Sequence, residues 1–196
     1  LNMISPEYDL FLANGLKHIL SVKKYPMRNR ELFKFSTDPE RFESQSLIST
    51  MHANVNHNIY WLLGKPEKMN EMDLSLVELV IGYYNLRESK KHRKFLCLLP
   101  SMNATYQLAI DYDQNFLNFS SFKDEISVQL GNLQEWEGMN DNSTKNFVLA
   151  DQDDKEYRYL EMKKESENIF ELKVQHPLSP LQAMAIAMTR FDAQLK

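Results

Sequence analysis

This chain predicts a mainly β fold closed by one C-terminal α-helix, on three observations. Short apolar runs of strand length recur through most of its 196 residues, and clusters of polar, turn-forming residues separate them. At Pro177 the pattern changes to one of helical spacing, opened by a capping signal.

The first two runs, residues 8–13 and 16–24, flank Asn14-Gly15. That dipeptide suits a two-residue type I′ turn, because both central positions need a positive φ, so the segment reads as a hairpin. A short helix with Ser5 as N-cap, Pro6 at its first position and Gly15 as its stop is the alternative reading. Further strands are expected at 32–37, 47–53, 58–63, 76–84, 94–99, 105–111, 125–130, 145–150, 156–162 and 168–174.

After Pro177, Ser179 can cap a helix, Pro180 suits its first position, and Gln182 stands three residues after the cap, as a capping box requires. The helix is expected over 180–195. Its first half, Leu181 to Met188, is apolar nearly all round, with Ala183, Ala185 and Ala187 spaced between Met184, Ile186 and Met188. A surface helix would carry a polar face there, so the strands are expected to enclose it. Thr189, Arg190, Asp192 and Gln194 are expected to emerge into water. No repeat, low-complexity tract or linker divides the chain, and residues 1–196 read as a single domain.

Lysine and arginine number 23 against 27 acidic residues, a net charge of −4, which disfavours a nucleic-acid-binding surface and restricts any anion site to a local patch. One cysteine, Cys97, forms no internal disulfide and supplies no thiolate zinc cluster, in keeping with a reducing compartment. Glu7 and Asp9 precede the first apolar run without a basic n-region, so no signal peptide is read and a cytoplasmic, non-secreted protein is expected. The triplets at Asn103, Asn118 and Asn142 matter for glycosylation only in a secretory context. The stretch 183–188 falls short of a membrane span, which leaves peripheral association as the expected membrane role.

Motifs for catalysis are absent from the sequence: there is no nucleophile elbow, phosphate-cradling glycine loop or His-Glu-x-x-His pair. Cys97 lies in the apolar run Phe95-Leu96-Cys97-Leu98-Leu99, where a thiol is core filling. His52 and His57 have no third ligand at metal-site spacing, and Asp151-Gln152-Asp153-Asp154 lacks the glycine and distal glutamate of a calcium loop. No metal, cofactor or enzymatic activity is expected. The one dense basic run is Arg87, Lys90, Lys91, His92, Arg93 and Lys94, and a looser group comprises Lys17, Lys23, Lys24, Arg28, Arg30 and Lys34. If the two share a face, they are candidates for contact with anionic headgroups, with Arg87, Lys90, Lys91, Arg93, Lys94, Lys23 and Lys24 the named residues. A solvated hairpin loop is the other reading of the dense run.

The C-terminal residues resemble the tubby-like proteins. His176-Pro177-Leu178-Ser179-Pro180-Leu181-Gln182-Ala183-Met184-Ala185-Ile186-Ala187, then Arg190-Phe191-Asp192, is similar to that family's closing Tyr-Pro-Leu-Cys-Ala-Leu-Gln-Ala-Phe-Ala-Ile-Ala and Ser-Phe-Asp. Lys145-Asn146-Phe147 resembles its Lys-Asn-Phe-Gln strand, and Ile169-Phe170-Glu171-Leu172 its Val-Phe-Thr-Met strand. Arg93-Lys94, Leu99-Pro100-Ser101-Met102-Asn103 and, more weakly, Ser36-Thr37-Asp38-Pro39 extend the resemblance from about Tyr8 to Leu195.

The resemblance implies a β-barrel threaded by a central hydrophobic helix. It also implies a non-catalytic domain that binds phosphatidylinositol 4,5-bisphosphate in membrane-linked trafficking, notably to cilia. The family's lipid-clasping Gly-Lys-Leu-Arg-Ser-Asn falls on Ser49-Thr50-Met51-His52-Ala53-Asn54, leaving Thr50 and His52 where its two cations stand. Two further lipid contacts fall on Leu32 and Ser75. Nothing before Tyr8 matches the family's first strand, and its Asn-Phe-His-Gly-Arg strand is missing before Lys145, so the expected barrel is incomplete or its edges are covered by a partner. An interaction or scaffold domain that has dropped the lipid site is therefore expected, with protein partners and at most weak binding to anionic lipid. The alternative is a peripheral membrane module using the basic loop 87–94.

Overall fold

The computed structural model describes residues 7–13, 17–27, 30–43, 45–64, 67–69, 72–74, 77–85, 93–100, 126–131, 143, 145–150 and 156–192. Eight strands form one antiparallel sheet: β1 (Glu7–Leu12), β2 (Lys17–Met27), β3 (Arg30–Ser36), β4 (Leu47–Ala53), β5 (Ile59–Gly64), β8 (Val77–Asn85), β9 (Arg93–Pro100) and β10 (Ile126–Gly131), in that order. Between β5 and β8 a small hairpin, β6 (Glu67–Met69) with β7 (Met72–Leu74), forms a two-stranded sheet of its own among the described residues. A second antiparallel sheet holds β11 (Phe147–Ala150), β12 (Arg158–Lys164) and β13 (Phe170–Val174). The helix α1 (Pro180–Asp192) closes the described chain.

The large sheet curls into a half-barrel, and its registry puts one set of alternating residues on the inside. Tyr8 pairs with Val22 and Val22 with Phe35; Phe33 pairs with Met51, Met51 with Leu62, and Leu62 with Leu79; Ala53 pairs with Tyr60 and Tyr60 with Ile81. Most of these side chains are fully buried, and they join Phe147, Leu149, Leu160 and Met162 of the small sheet in one core around α1. Every residue of α1 from Ala183 to Thr189 is buried, so the enclosed helix expected from its composition is what forms. Alanine at alternate positions lets neighbouring backbone approach, while Met184, Ile186 and Met188 fill the space between.

The capping box forms as expected: the Gln182 amide donates to Ser179 Oγ (3.2 Å), and the Ser179 amide donates to Gln182 Oε1 (2.9 Å). Glu7–Leu12 is a strand, which decides against the alternative N-terminal helix. Strand ends shift by one or two residues in several places, and β2 runs on through Pro26 to Met27. The hairpin of β6 and β7 was not foreseen. The turn at Asn14-Gly15, the expected strand 105–111, the acidic run 151–154 and residues 193–195 of the helix lie outside the described residues.

One expectation is overturned. Thr189 and Asp192 do not emerge into water: Thr189 is fully buried and bonds to the Ile186 carbonyl (2.7 Å), and the Asp192 carboxylate is 2% exposed. Thr189 satisfies its hydroxyl within the helix, and for Asp192 the physical reason is a set of donors that the large sheet and its β4–β5 turn bring to the helix end.

Candidate functional site

The positions where the resemblance would put a lipid clasp come together on the outer face of the large sheet. Leu32 of β3 and His52 of β4 are direct cross-strand partners, as are Lys34 and Thr50. His52 is in turn opposite Trp61 of β5, with the two rings stacked at 6.1 Å and an interplanar angle of 12°. One row across the sheet therefore reads Tyr25, Leu32, His52, Trp61, and the next reads Lys23, Lys34, Thr50. His52 is buried, and Leu32, Thr50 and Trp61 are half-buried. Ser75 lies outside the described residues.

Among the described residues, two lysines stand in these rows, Lys34 and Lys23. Lys34 lies with its ammonium 5.0 Å from the Tyr25 ring centroid. Lys23, across from Lys34, is drawn to Glu7 of β1 and lies 5.7 Å over the Phe42 ring. A hydroxyl at position 50 and a buried imidazole at 52 present no pair of exposed cations. This face is a half-buried aromatic and aliphatic wall with a lysine at its margin.

Lys24 belongs to the opposite face. In β2 the alternation Leu20, Val22, Lys24 points inward, and Lys24 pairs by register with Phe33, whose ring centroid is 5.8 Å from the ammonium. An inward lysine is costly without a counter-charge, and Asp192 at the end of α1 supplies it at 2.5 Å, with Glu31 at 3.6 Å. The other Asp192 oxygen meets His57 Nδ1 at 2.7 Å and accepts from the Tyr60 hydroxyl at 2.9 Å. His57 takes a positive φ of 48° in the turn between β4 and β5, and that turn aims its ring at the helix end.

Burial works against the charged form of Asp192, but bonds from Lys24, His57 and Tyr60 outweigh it and hold the carboxyl below its usual range. Burial likewise opposes the Lys24 ammonium, and Asp192 with Glu31 overcomes it, leaving the pKa raised. A carboxylate at a helix C-terminus also opposes the macrodipole, so this cluster must compensate more than desolvation. Lys145 adds a cap at the same end, donating to the Arg190 carbonyl at 2.6 Å. The cluster therefore joins α1 to β2, β3, β5 and the turn before β5.

Of the basic run, Arg93 and Lys94 open β9, where they pair by register with Asn85 and Tyr84. Arg87, Lys90 and Lys91 lie outside the described residues. Cys97 is buried on the inner face, and desolvation pushes its thiol far up, in keeping with core filling. Among the described residues, no group of three or more His, Cys, Asp or Glu side chains is placed to hold a metal ion. No described helix is long and apolar enough to cross a membrane. Sequence reasoning missed Asp192, Tyr60 and Trp61 as site residues. The inward parity of Lys24, two residues after Val22, was the available signal for the cluster.

The family model described as the Tub family matches residues 132–193, a stretch that contains β11, β12, β13 and α1. The match supports a tubby-like assignment over part of the domain, and the half-barrel with its C-terminal helix agrees with it. The Tub family is one of non-enzymatic domains, generally linked to membrane phosphoinositide binding and trafficking. Comparison with curated proteins finds no match.

Proposed function

We propose that this chain is a non-catalytic tubby-like interaction domain, a scaffold or adaptor in membrane-linked or ciliary trafficking, whose phosphoinositide clasp has been lost. The observation that carries the reading is the outer face at the clasp positions. His52 is buried against Trp61 and opposite Leu32, and Thr50 replaces the other cation. A hydrogen bond to a charged group contributes about 1.5–3 kcal/mol, so two lost cations remove roughly 3–6 kcal/mol, or two to four decades of affinity. A half-buried aromatic wall suits contact with another protein better than contact with a phosphorylated headgroup. The reading includes an intracellular protein in which residues 1–196 form one domain that works without a cofactor.

The second reading is a peripheral membrane module. It draws on the registry of β8 and β9, which runs to Asn85 and Arg93 and so makes the run from Arg87 to His92 the connection between two paired strands. Liposome flotation with and without phosphatidylinositol 4,5-bisphosphate separates the two. Weak, unselective binding that falls steeply with salt is expected, as screened point charges give. Thr50→Lys with His52→Arg should raise affinity, while neutralising Lys90, Lys91, Arg93 and Lys94 should remove only the salt-sensitive part. Tight, headgroup-selective binding by the unmodified chain would refute the proposal.

A further inference from the structure

Each sheet ends in a strand with one described neighbour, β1 beside β2 and β13 beside β12. Phe191, in the last turn of α1, touches both end strands: its ring stacks on Tyr8 at 5.2 Å and meets Phe170 edge-on at 5.0 Å. Tyr8 is the second residue of β1 and Phe170 the first of β13, so both strands start at this end of the helix and run the same way. The sheets are otherwise antiparallel throughout. Two co-directional edges cannot continue that alternation by pairing with each other, but a strand running opposite to both pairs with each.

We propose that the seam between β1 and β13 receives one extended segment of a partner protein, added antiparallel to both edges, with aliphatic side chains inward and basic side chains outward. This rests on the interaction-domain reading and names its mode of contact. Tyr8, Leu10, Phe170 and Leu172 face inward and are partly buried against the core, with Phe191 between the two strands. The outward charges of the two edges are Glu7, Asp9 and Glu171, with side chains 48%, 44% and 41% exposed, against Lys173; Lys23 stands beside Glu7, His18 beside Asp9 and Lys173 beside Glu171, so an incoming basic side chain shares each carboxylate with a neighbour. Edge strands offer unpaired N–H and C=O groups, and strand addition uses them for affinity while alternate side chains set the choice of partner. An incoming strand that alternates aliphatic with basic residues satisfies all three features.

Hydrogen–deuterium exchange on the full chain tests this, using an eight-residue synthetic peptide of alternating valine and lysine. A second peptide of the same sequence, N-methylated at every residue, keeps the charge but can donate to neither edge. The amides of β1 and β13 that face the seam, and not β2 or β12, should exchange fast in the free chain and slow on both edges at least tenfold with the first peptide, but not with the second. Phe11→Lys with Val174→Lys, at exposed positions of the two edges, should weaken that protection about tenfold without changing the melting temperature. Edges already protected in the free chain, protection of one edge alone, equal protection by the N-methylated peptide, or protection that rises with chain concentration and so marks a second copy would each overturn the seam. If the peptide fails while liposome binding stays weak and unselective, the seam alone is wrong. Tight headgroup-selective binding would instead sink the reading beneath it.

Discussion

Asp192→Asn is the substitution on which the account of the helix end stands or falls. The side chain keeps its volume and one carbonyl acceptor, but Lys24 loses a counter-ion 2.5 Å away and His57 loses a charged partner at 2.7 Å. Removing one member of a buried pair costs about 3–5 kcal/mol; the Lys24 side chain is 24% exposed, so water reaches it and the lower end, about 3 kcal/mol, applies. For a chain of this size each kcal/mol moves the melting temperature by about 2–4 °C, which gives a fall of roughly 6–12 °C by calorimetry or circular dichroism. Adding Lys24→Met should recover much of the loss, because an apolar side chain leaves no buried charge unpaired.

The pH dependence has a definite sign. A carboxyl held below its ordinary value of 3.8 contributes stability that is fully present above that value and is lost as the pH falls through the lowered folded value. Lys24 is raised above its ordinary value of 10.5, so its share is full below that pH and is lost as the pH climbs through the folded value. The native chain should therefore lose stability in acid faster than Asp192→Asn, and the two should converge at the lowest pH. A single-variant melting temperature within a degree of native, or parallel acid profiles, would refute the charged latch.

Two further outcomes follow from the core. Ile186→Asp or Ala185→Asp should leave the domain unfolded by circular dichroism, since a carboxylate at a fully buried position costs several kcal/mol against a total of about 5–15. Cys97 should resist a thiol-reactive disulfide reagent in the native chain and react fully in denaturant, because burial both hides the thiol and suppresses its thiolate.

Much of this fold could be read before any coordinates, because alternation and capping are local signals. Residues 47–53 were expected as a strand and form β4 with the same bounds, and Ser179 with Gln182 announced the start of α1. The site was less readable, since its parts meet only through registry. Lys24 lies 168 positions from Asp192 in the chain, and each read alone is an ordinary surface charge. Nothing local to His52 says that Trp61 stacks on it or that Leu32 faces it; those facts follow from how β3, β4 and β5 align. The short hairpin of β6 and β7 has three residues per strand, too few for alternation to show.

The position of α1 bears on how the nascent chain survives its own synthesis. Every described strand leaves the ribosome before the helix does, and the thirteen residues from Pro180 to Asp192 form the rod, about 20 Å long, around which they close. Until Asp192 is translated, Phe33, Phe35, Met51 and Tyr60 line a sheet that lacks the helix around which the core packs, a state exposed to aggregation and to capture by chaperones. A stop codon just before Pro180 would leave the sheet without its filling and the truncated product open to proteolysis.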